Sequence, residues 1–272
     1  MKKLLAIVLA LVMVLSLAAC APAAGNNSDA TNTTAAADDN DTLKTIVDGK
    51  LTMSTNAAFP PYEMTDDNGN FIGIDVEIAT AIAEKLGLEL DILDMDFSAA
   101  LLAVNQNKSD IVMAGVTVNE DRKMVMDFTD SYATGVQMVI VKEGSDVTMD
   151  NLGDKMIGAQ AGTTGYIYAS DSPENGGYGE DHVTAYDTGA SAVQALVNGQ
   201  IDCVIIDSAP AEEFVKANPG LTLLEGEWVT ENYAIGCDKG NTALVTAINA
   251  ALAELTADGT MQQIVDKYIT AE

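Results

Sequence analysis

LLAVNQNKSDIVMAG, from Leu101 to Gly115, and AVQALVNGQIDCVIID, from Ala192 to Asp207, follow one pattern. Each begins as an apolar helix, passes through a polar turn, meets an Asp and ends as a hydrophobic strand closing on a small or polar residue. Working outward from the first, Lys50 to Thr55 alternates as a strand does. Asp75 to Leu86 carries Ala79, Ile82, Ala83 and Leu86 on a helical stripe, with Gly87 placed to end it. Leu88, Leu90 and Ile92 alternate again, Ala99 to Val104 reads as a short apolar helix, and Asp110 to Gly115 as a strand. Strand, helix, strand, helix, strand at this spacing predicts parallel βαβ units with right-handed crossovers. Outward from the second stretch the order repeats. Strands are expected at Lys155 to Gln160, Val183 to Tyr186 and Asp202 to Asp207. Helices are expected from Thr163 to Ala169, Ala190 to Val197 and Ala209 to Ala217. A final helical segment runs from Asn241 to Tyr268. Two similar α/β lobes are the simplest account.

In open α/β sheets a ligand sits just beyond the carboxyl ends of the strands. That rule selects Asn56 to Tyr62 after the first strand, Gly115 to Thr117 with Arg122 after the third, Gln160 to Gly165 in the second lobe, and Asp207 at its last strand end. These groups are complementary. Arg122, the only arginine in the chain, is suited to a bidentate grip on a carboxylate. Gly162-Thr163-Thr164 opens a helix whose free N–H groups favour an anion. Asp207, the Thr117 hydroxyl and a backbone carbonyl supply acceptors for the three protons of an ammonium. Phe59, Tyr62 and Phe97 are candidate apolar walls. An anion site beside a cation site describes the head of a free α-amino acid. The structural alternatives are a surface Arg122, Asp207 or the two threonines as helix caps, and Phe59 and Phe97 as core aromatics.

Composition narrows the function classes. The chain carries a formal charge of −28, which argues against a nucleic-acid partner and against an electrostatic hold on anionic lipid. The single histidine, His182, sits in a Gly/Asp-rich stretch, and neither G-x-S-x-G, CxxC nor HExxH occurs. Asp66-Asp67-Asn68-Gly69-Asn70 has Asp75 where a calcium loop needs Glu, so a hairpin turn is expected there and no metal or cofactor. Cys203 and Cys237 lie in hydrophobic stretches and are expected to be free and buried.

The N-terminus reads as an export signal. Met1-Lys2-Lys3 precedes an uncharged run from Leu4 to Ala19, too short to span a bilayer. The ending Leu17-Ala18-Ala19-Cys20 resembles the lipobox of bacterial lipoproteins, which implies a diacylglyceryl group on the Cys20 thiol and Cys20 as the mature N-terminus. Loss of residues 1–19 removes Lys2 and Lys3 and takes the charge from −28 to −30. Residues 20–42 have almost nothing to bury and form an expected flexible tether of roughly 25 Å.

The body as a whole resembles the family 3 bacterial solute-binding proteins, the amino-acid receptors of ABC importers. The resemblance runs from about Leu51 to Tyr268 and rests on NAAFPPYE from Asn56, FIGIDVE from Phe71, DIVMAGVT from Asp110, EDRK from Glu120, DFTDSY from Asp127, GTTG from Gly162 and DGT from Asp258. It implies a two-lobed, type II periplasmic-binding-protein-like fold with hinge strands near Tyr132–Val136 and Glu231–Ala234. Lobe 1 would comprise 43–132 and 235–272, and lobe 2 133–234. It further implies that Arg122 and the amides of Thr117 and Thr164 hold the ligand carboxylate. Asp207, Gly115 and Thr117 would hold the ammonium, Phe59 and Phe97 would sandwich the side chain, and Asn56 and Gln160 would tune its choice. Because Asn56 replaces an Asp found in some relatives, and Gln160 is also neutral, a polar uncharged amino acid is expected. Arginine and cystine remain alternatives. The expectation is a lipid-anchored, monomeric, non-enzymatic receptor on the outer face of the membrane, in a Gram-positive host, partnered by an ABC permease. A sensor for a signalling partner and a dehydratase-like enzyme are the alternatives.

Overall fold

A computed structural model describes residues 43–269. The leader, Cys20 and the tether lie outside the described residues. In chain order the elements are β1 (Lys50–Thr55), β2 (Met64–Thr65), β3 (Phe71–Ile72), α1 (Ile74–Lys85), β4 (Glu89–Asp94), α2 (Phe97–Asn105), β5 (Ile111–Val112), α3 (Glu120–Val125) and β6 (Met126–Lys142). There follow β7 (Ile157–Gln160), α4 (Thr164–Ser170), β8 (Val183–Tyr186), α5 (Gly189–Val197), β9 (Cys203–Asp207), α6 (Ser208–Ala217), β10 (Leu221–Leu223), β11 (Val229–Asp238), α7 (Thr242–Ala257) and α8 (Thr260–Tyr268).

One sheet runs through the body in the order β4-β1-β5-β11-β6-β9-β7-β8, with β10 on β6. β1 is parallel to β4 and β5, and β7 is parallel to β8 and β9, as the βαβ pattern predicts. These two parallel groups are joined through β6 and β11, which pair antiparallel along their length. Val229 lies opposite Gln137 at one end and Asp238 opposite Met126 at the other. β5 takes the far end of β11 at Gly236 and Cys237, and β9 takes the far end of β6 from Gln137 to Val141. Two long strands therefore cross between the halves, and their register slips on either side of Ala234, where the crossing lies. Such irregularity bends the strand and adds local twist.

Both faces of the sheet are covered at its centre, so β1, β5, β7 and β9 are buried along almost their whole length. One core packs Leu51, Met53, Ile78, Ile82 and Ile111 under α1 and α7, and carries on through Ile140, Val204 and Ile206 to α5. The opposite faces hold Val139, Leu152, Ile157 and Ile205 in one half and Ala100, Val104, Val112 and Val116 in the other. The two cysteines are free and buried, and burial pushes both thiols up to about 12, which keeps them protonated.

The structure adds detail to three expectations. The segment after Asn241 is two helices, because Gly259 turns left-handed at φ 83 between α7 and α8. The strand expected from Asp110 to Gly115 pairs only at Ile111 and Val112, since the chain then turns out of the ladder, with Gly115 at φ 54. Tyr132–Val136 lies in the middle of the 17-residue β6, one of the two strands that run from one half to the other.

Candidate functional site

The carboxyl ends of β1, β5, β7 and β9 converge on one cavity between the halves. Its lining includes Asn56, Phe59, Phe97, Gly115, Thr117, Arg122, Gln160, Thr163, Thr164 and Asp207, ten of the residues selected from the sequence. Glu63, Ala114, Gln137, Ile205 and Ile206 complete it. Tyr62 stands behind Phe59, with ring centroids 5.8 Å apart, instead of forming a wall itself.

Arg122 is placed by a short capped helix. The Asn119 side chain caps α3 by accepting the Arg122 backbone N–H at 2.8 Å, as an N-cap residue should. The guanidinium lies over the Phe97 ring at 5.5 Å. It donates to the Thr117 carbonyl in its own half at 2.8 Å and to the Gly162 carbonyl in the other half at 3.1 Å. Burial works against its charge, and the nearby Glu231 carboxylate is the strongest opposing influence. Two of its five N–H donors are thus spent on orientation, leaving the others for a ligand anion.

The opposite charge sits at the end of β9. Asp207 accepts from Gln137 Nε2 at 2.9 Å and from the Tyr233 hydroxyl. Burial pushes its carboxyl up to about 7, and the Glu231 charge adds to this, while the two hydrogen bonds pull it back. An ammonium at this position would restore the anion. The Gly115 amide is spent on Asp75 Oδ2 at 3.0 Å, so Gly115 has only its carbonyl for a ligand, which suits an ammonium. A Cβ on Gly115 would meet the Phe59 ring at 2.8 Å, so this wall is built for a residue without a side chain.

A second layer ties the halves together. Glu231 on β11 is buried, and its Oε2 accepts from the Thr117 hydroxyl at 3.1 Å, the Thr164 hydroxyl at 2.8 Å and Gln137 Nε2 at 3.0 Å. The Thr117 and Thr164 hydroxyls then offer lone pairs to the cavity, while their backbone N–H groups remain donors. Thr163 is occupied as a cap, donating to the Gln160 carbonyl and accepting from the Tyr166 amide. Asn56 and Gln160 meet across the cleft: Gln160 Nε2 donates to Asn56 Oδ1 at 2.9 Å, and Asn56 Nδ2 donates to the Met95 carbonyl. Gln137, Glu231 and Tyr233 were not selected from the sequence. Their one signal there is a polar group inside an otherwise strand-like run, as in Val136-Gln137-Met138-Val139.

The family profile for bacterial extracellular solute-binding proteins, family 3, matches residues 51–271. The chain belongs to that family. Among its relatives, a probable histidine-binding protein of Neisseria gonorrhoeae is 31% identical over 230 residues, covering 81% of this chain and 83% of the relative. The arginine-binding extracellular protein ArtP of Bacillus subtilis is 31% identical over 228 residues, covering 82% and 87%. Of solved structures, the arginine-, lysine-, histidine-binding protein ArtJ of Geobacillus stearothermophilus superposes with a TM-score of 0.76 at 30% identity, over 82% of this chain and 96% of that one. The fold of this family member is the two-lobed α/β architecture of amino-acid binding proteins.

Proposed function

We propose that this protein is an extracellular receptor that closes two lobes on a free L-amino acid and delivers it to an ABC importer. The observation that carries this reading is that one cavity is lined by both Arg122 and Asp207, each of them buried. Arg122 takes the ligand carboxylate together with the amides of Thr117 and Thr164. Asp207 takes the ammonium with the Gly115 carbonyl and the Thr117 hydroxyl, and Phe59 and Phe97 flank the side chain. The relatives named for histidine and arginine support the ligand class. Lobe 1 is then 43–132 with 235–272, and lobe 2 is 133–234. Because the walls come from both lobes, a bound amino acid bridges them, the hinge closure for which periplasmic binding proteins are a general example. The ligand leaves unchanged, so no catalytic turnover is expected.

Calorimetry tests the site. Arg122→Ala should weaken amino-acid binding at least about 100-fold, since it strips a buried charged partner from the carboxylate, while circular dichroism and the unliganded melting curve stay close to wild type. Near-normal affinity would reject the assignment.

The anchor belongs to the same proposal. Cys20 carries a lipid that holds a monomeric receptor at the outer membrane face beside its permease, in a Gram-positive cell. Among the described residues no helix is long and apolar enough to cross a membrane. Fractionation is the check: Cys20→Ala should move the protein from the membrane pellet to the culture medium, and continued membrane retention would refute the anchor.

A further inference from the structure

Behind the cavity wall stands a carboxylate to which the amino-acid reading gives no task. Glu231 on β11 is 5% exposed and is not among the residues that line the cavity, so it stands one layer back from a ligand held there. Its Oε2 accepts from three donors, the Thr117 hydroxyl, the Thr164 hydroxyl and Gln137 Nε2. Its Oε1 is buried and has no partner. A buried carboxylate with one unpartnered oxygen costs stability relative to a neutral side chain of the same size. Packing alone does not account for the charge.

The three donors belong to different parts of the molecule. Thr117 follows β5, and its segment is bonded to β11 just past Glu231: the Val118 amide donates to the Asn232 carbonyl at 3.0 Å and the Ala234 amide to the Val116 carbonyl at 3.1 Å. Thr164 is the first residue of α4, which packs on β7 and β9 in the other half. Gln137 lies on β6 opposite Asp207, and its Nε2 donates to both Asp207 and Glu231. Glu231 thus holds the Thr117 and Thr164 hydroxyl oxygens 3.5 Å apart. The register of β11 slips on either side of Ala234, just beyond this point. When the halves part, Thr117 goes with one and Thr164 with the other, and a single carboxylate oxygen cannot keep both hydroxyls. Arg122, on the Thr117 side, adds to the attraction, since Glu231 is the strongest opposite charge acting on its guanidinium.

We propose that Glu231 is the latch of this receptor, a positioning residue that touches no ligand and holds the halves together by taking one hydroxyl from each. The inference rests on the amino-acid reading of the cavity. In the latched form each threonine gives its one hydroxyl proton to Glu231, which leaves its lone pairs for the ligand. Closure and preparation of the head-group site are then one event. Because the latch is the same for every ligand side chain, it raises the population of the binding-competent form and scales all affinities by one factor. Their order is untouched.

Calorimetry and stopped-flow kinetics on the whole protein test the latch, with arginine, histidine and glutamine as probes. Glu231→Gln keeps the shape of the side chain and removes the charge that strengthens its hydrogen bonds. Each probe that binds should lose about tenfold in affinity, by one common factor and mainly through faster dissociation. Thr164→Val keeps the backbone amide and the whole of Glu231 but deletes one hydroxyl, and it carries the same test should Glu231→Gln not fold. It should weaken the same probes by about threefold, and the two changes together should cost less than the product of the separate losses. A carboxylate that merely supported the fold would not show that coupling. The latch is overturned by losses under about twofold in both single variants, by losses in Glu231→Gln that differ more than about fivefold between probes, or by fully multiplicative losses in the double variant. X-ray scattering of ligand-free protein gives a readout without any ligand: Glu231→Gln should have the larger radius of gyration. If the wild type binds none of the probes, the receptor reading fails, and equal radii would then overturn the latch as well.

Discussion

At the scale of single residues, the cavity contrasts charges whose partners are fixed with charges that await one. Arg122 and Asp207 are both oriented by neighbours before any ligand arrives, which lowers the cost of ordering them on binding. Asp207 also has a measurable consequence for the unliganded protein. Its folded carboxyl stands at about 7, above its unfolded value, so the folded state binds more protons in between. Stability from this group is present below the unfolded pKa and is lost as pH rises through about 7, by at most about 4 kcal/mol. Urea midpoints of unliganded protein between pH 4 and 7.5 should therefore fall less steeply for Asp207→Asn than for wild type. Parallel slopes would show that Asp207 is not held in this way. Sequence position marked Arg122 and Asp207 because both follow strand ends. Glu63, the last residue of the NAAFPPYE motif, also lines the cavity, one residue beyond the stretch that the strand-end rule selects.

At the scale of elements, periodicity located α1, α5, α6 and the parallel strands to within a few residues, since each buries one continuous apolar face. It did not locate β6. A strand that leaves one half and enters the other meets two different environments, and its burial changes along its length from Met126 to Lys142. No single alternation survives that change. The turn before α1 shows how strictly an element can be placed. Gly73 has φ 129, and a Cβ there would meet the Tyr62 carbonyl oxygen at 2.2 Å. Both facts require glycine. Gly73→Ala should cost about 2–4 kcal/mol in denaturant unfolding, through strain and displacement of α1, and should disturb ligand binding by moving Asp75 away from the Gly115 amide that it holds at the cavity wall. Wild-type stability in this variant would mean that the turn is looser than described.

At the scale of the whole molecule, the two halves share a continuous core and are joined further by a few polar contacts across a cavity and by two strands behind it. Arg122 to the Gly162 carbonyl, Gln160 to Asn56, and the Glu231 carboxylate between Thr117 and Thr164 all join one half to the other. Contacts of this kind are worth about 0.5–1.5 kcal/mol each, which under the proposed hinge closure would bias the lobes together without locking them. X-ray scattering should show the radius of gyration falling when a bound amino acid is added, with no change in Arg122→Ala. An unchanged radius in the wild type under saturating ligand would argue against hinge closure.

What the sequence determined by itself is the α/β class, the repetition of one helix–turn–strand pattern in two lobes, and the presence of one arginine and one aspartate where strands end. These follow from local chemistry: periodic apolar faces, glycine at turns, charge at strand ends. Only the tertiary structure decided which groups face each other. Glu63 and Asp75 meet because α1 docks on the 59–63 turn, and Gln137 and Glu231 meet because β6 and β11 cross together behind the cavity. Burial and the supply of hydrogen-bond partners fix the charge of a carboxyl, and both are properties of packing that no run of sequence contains.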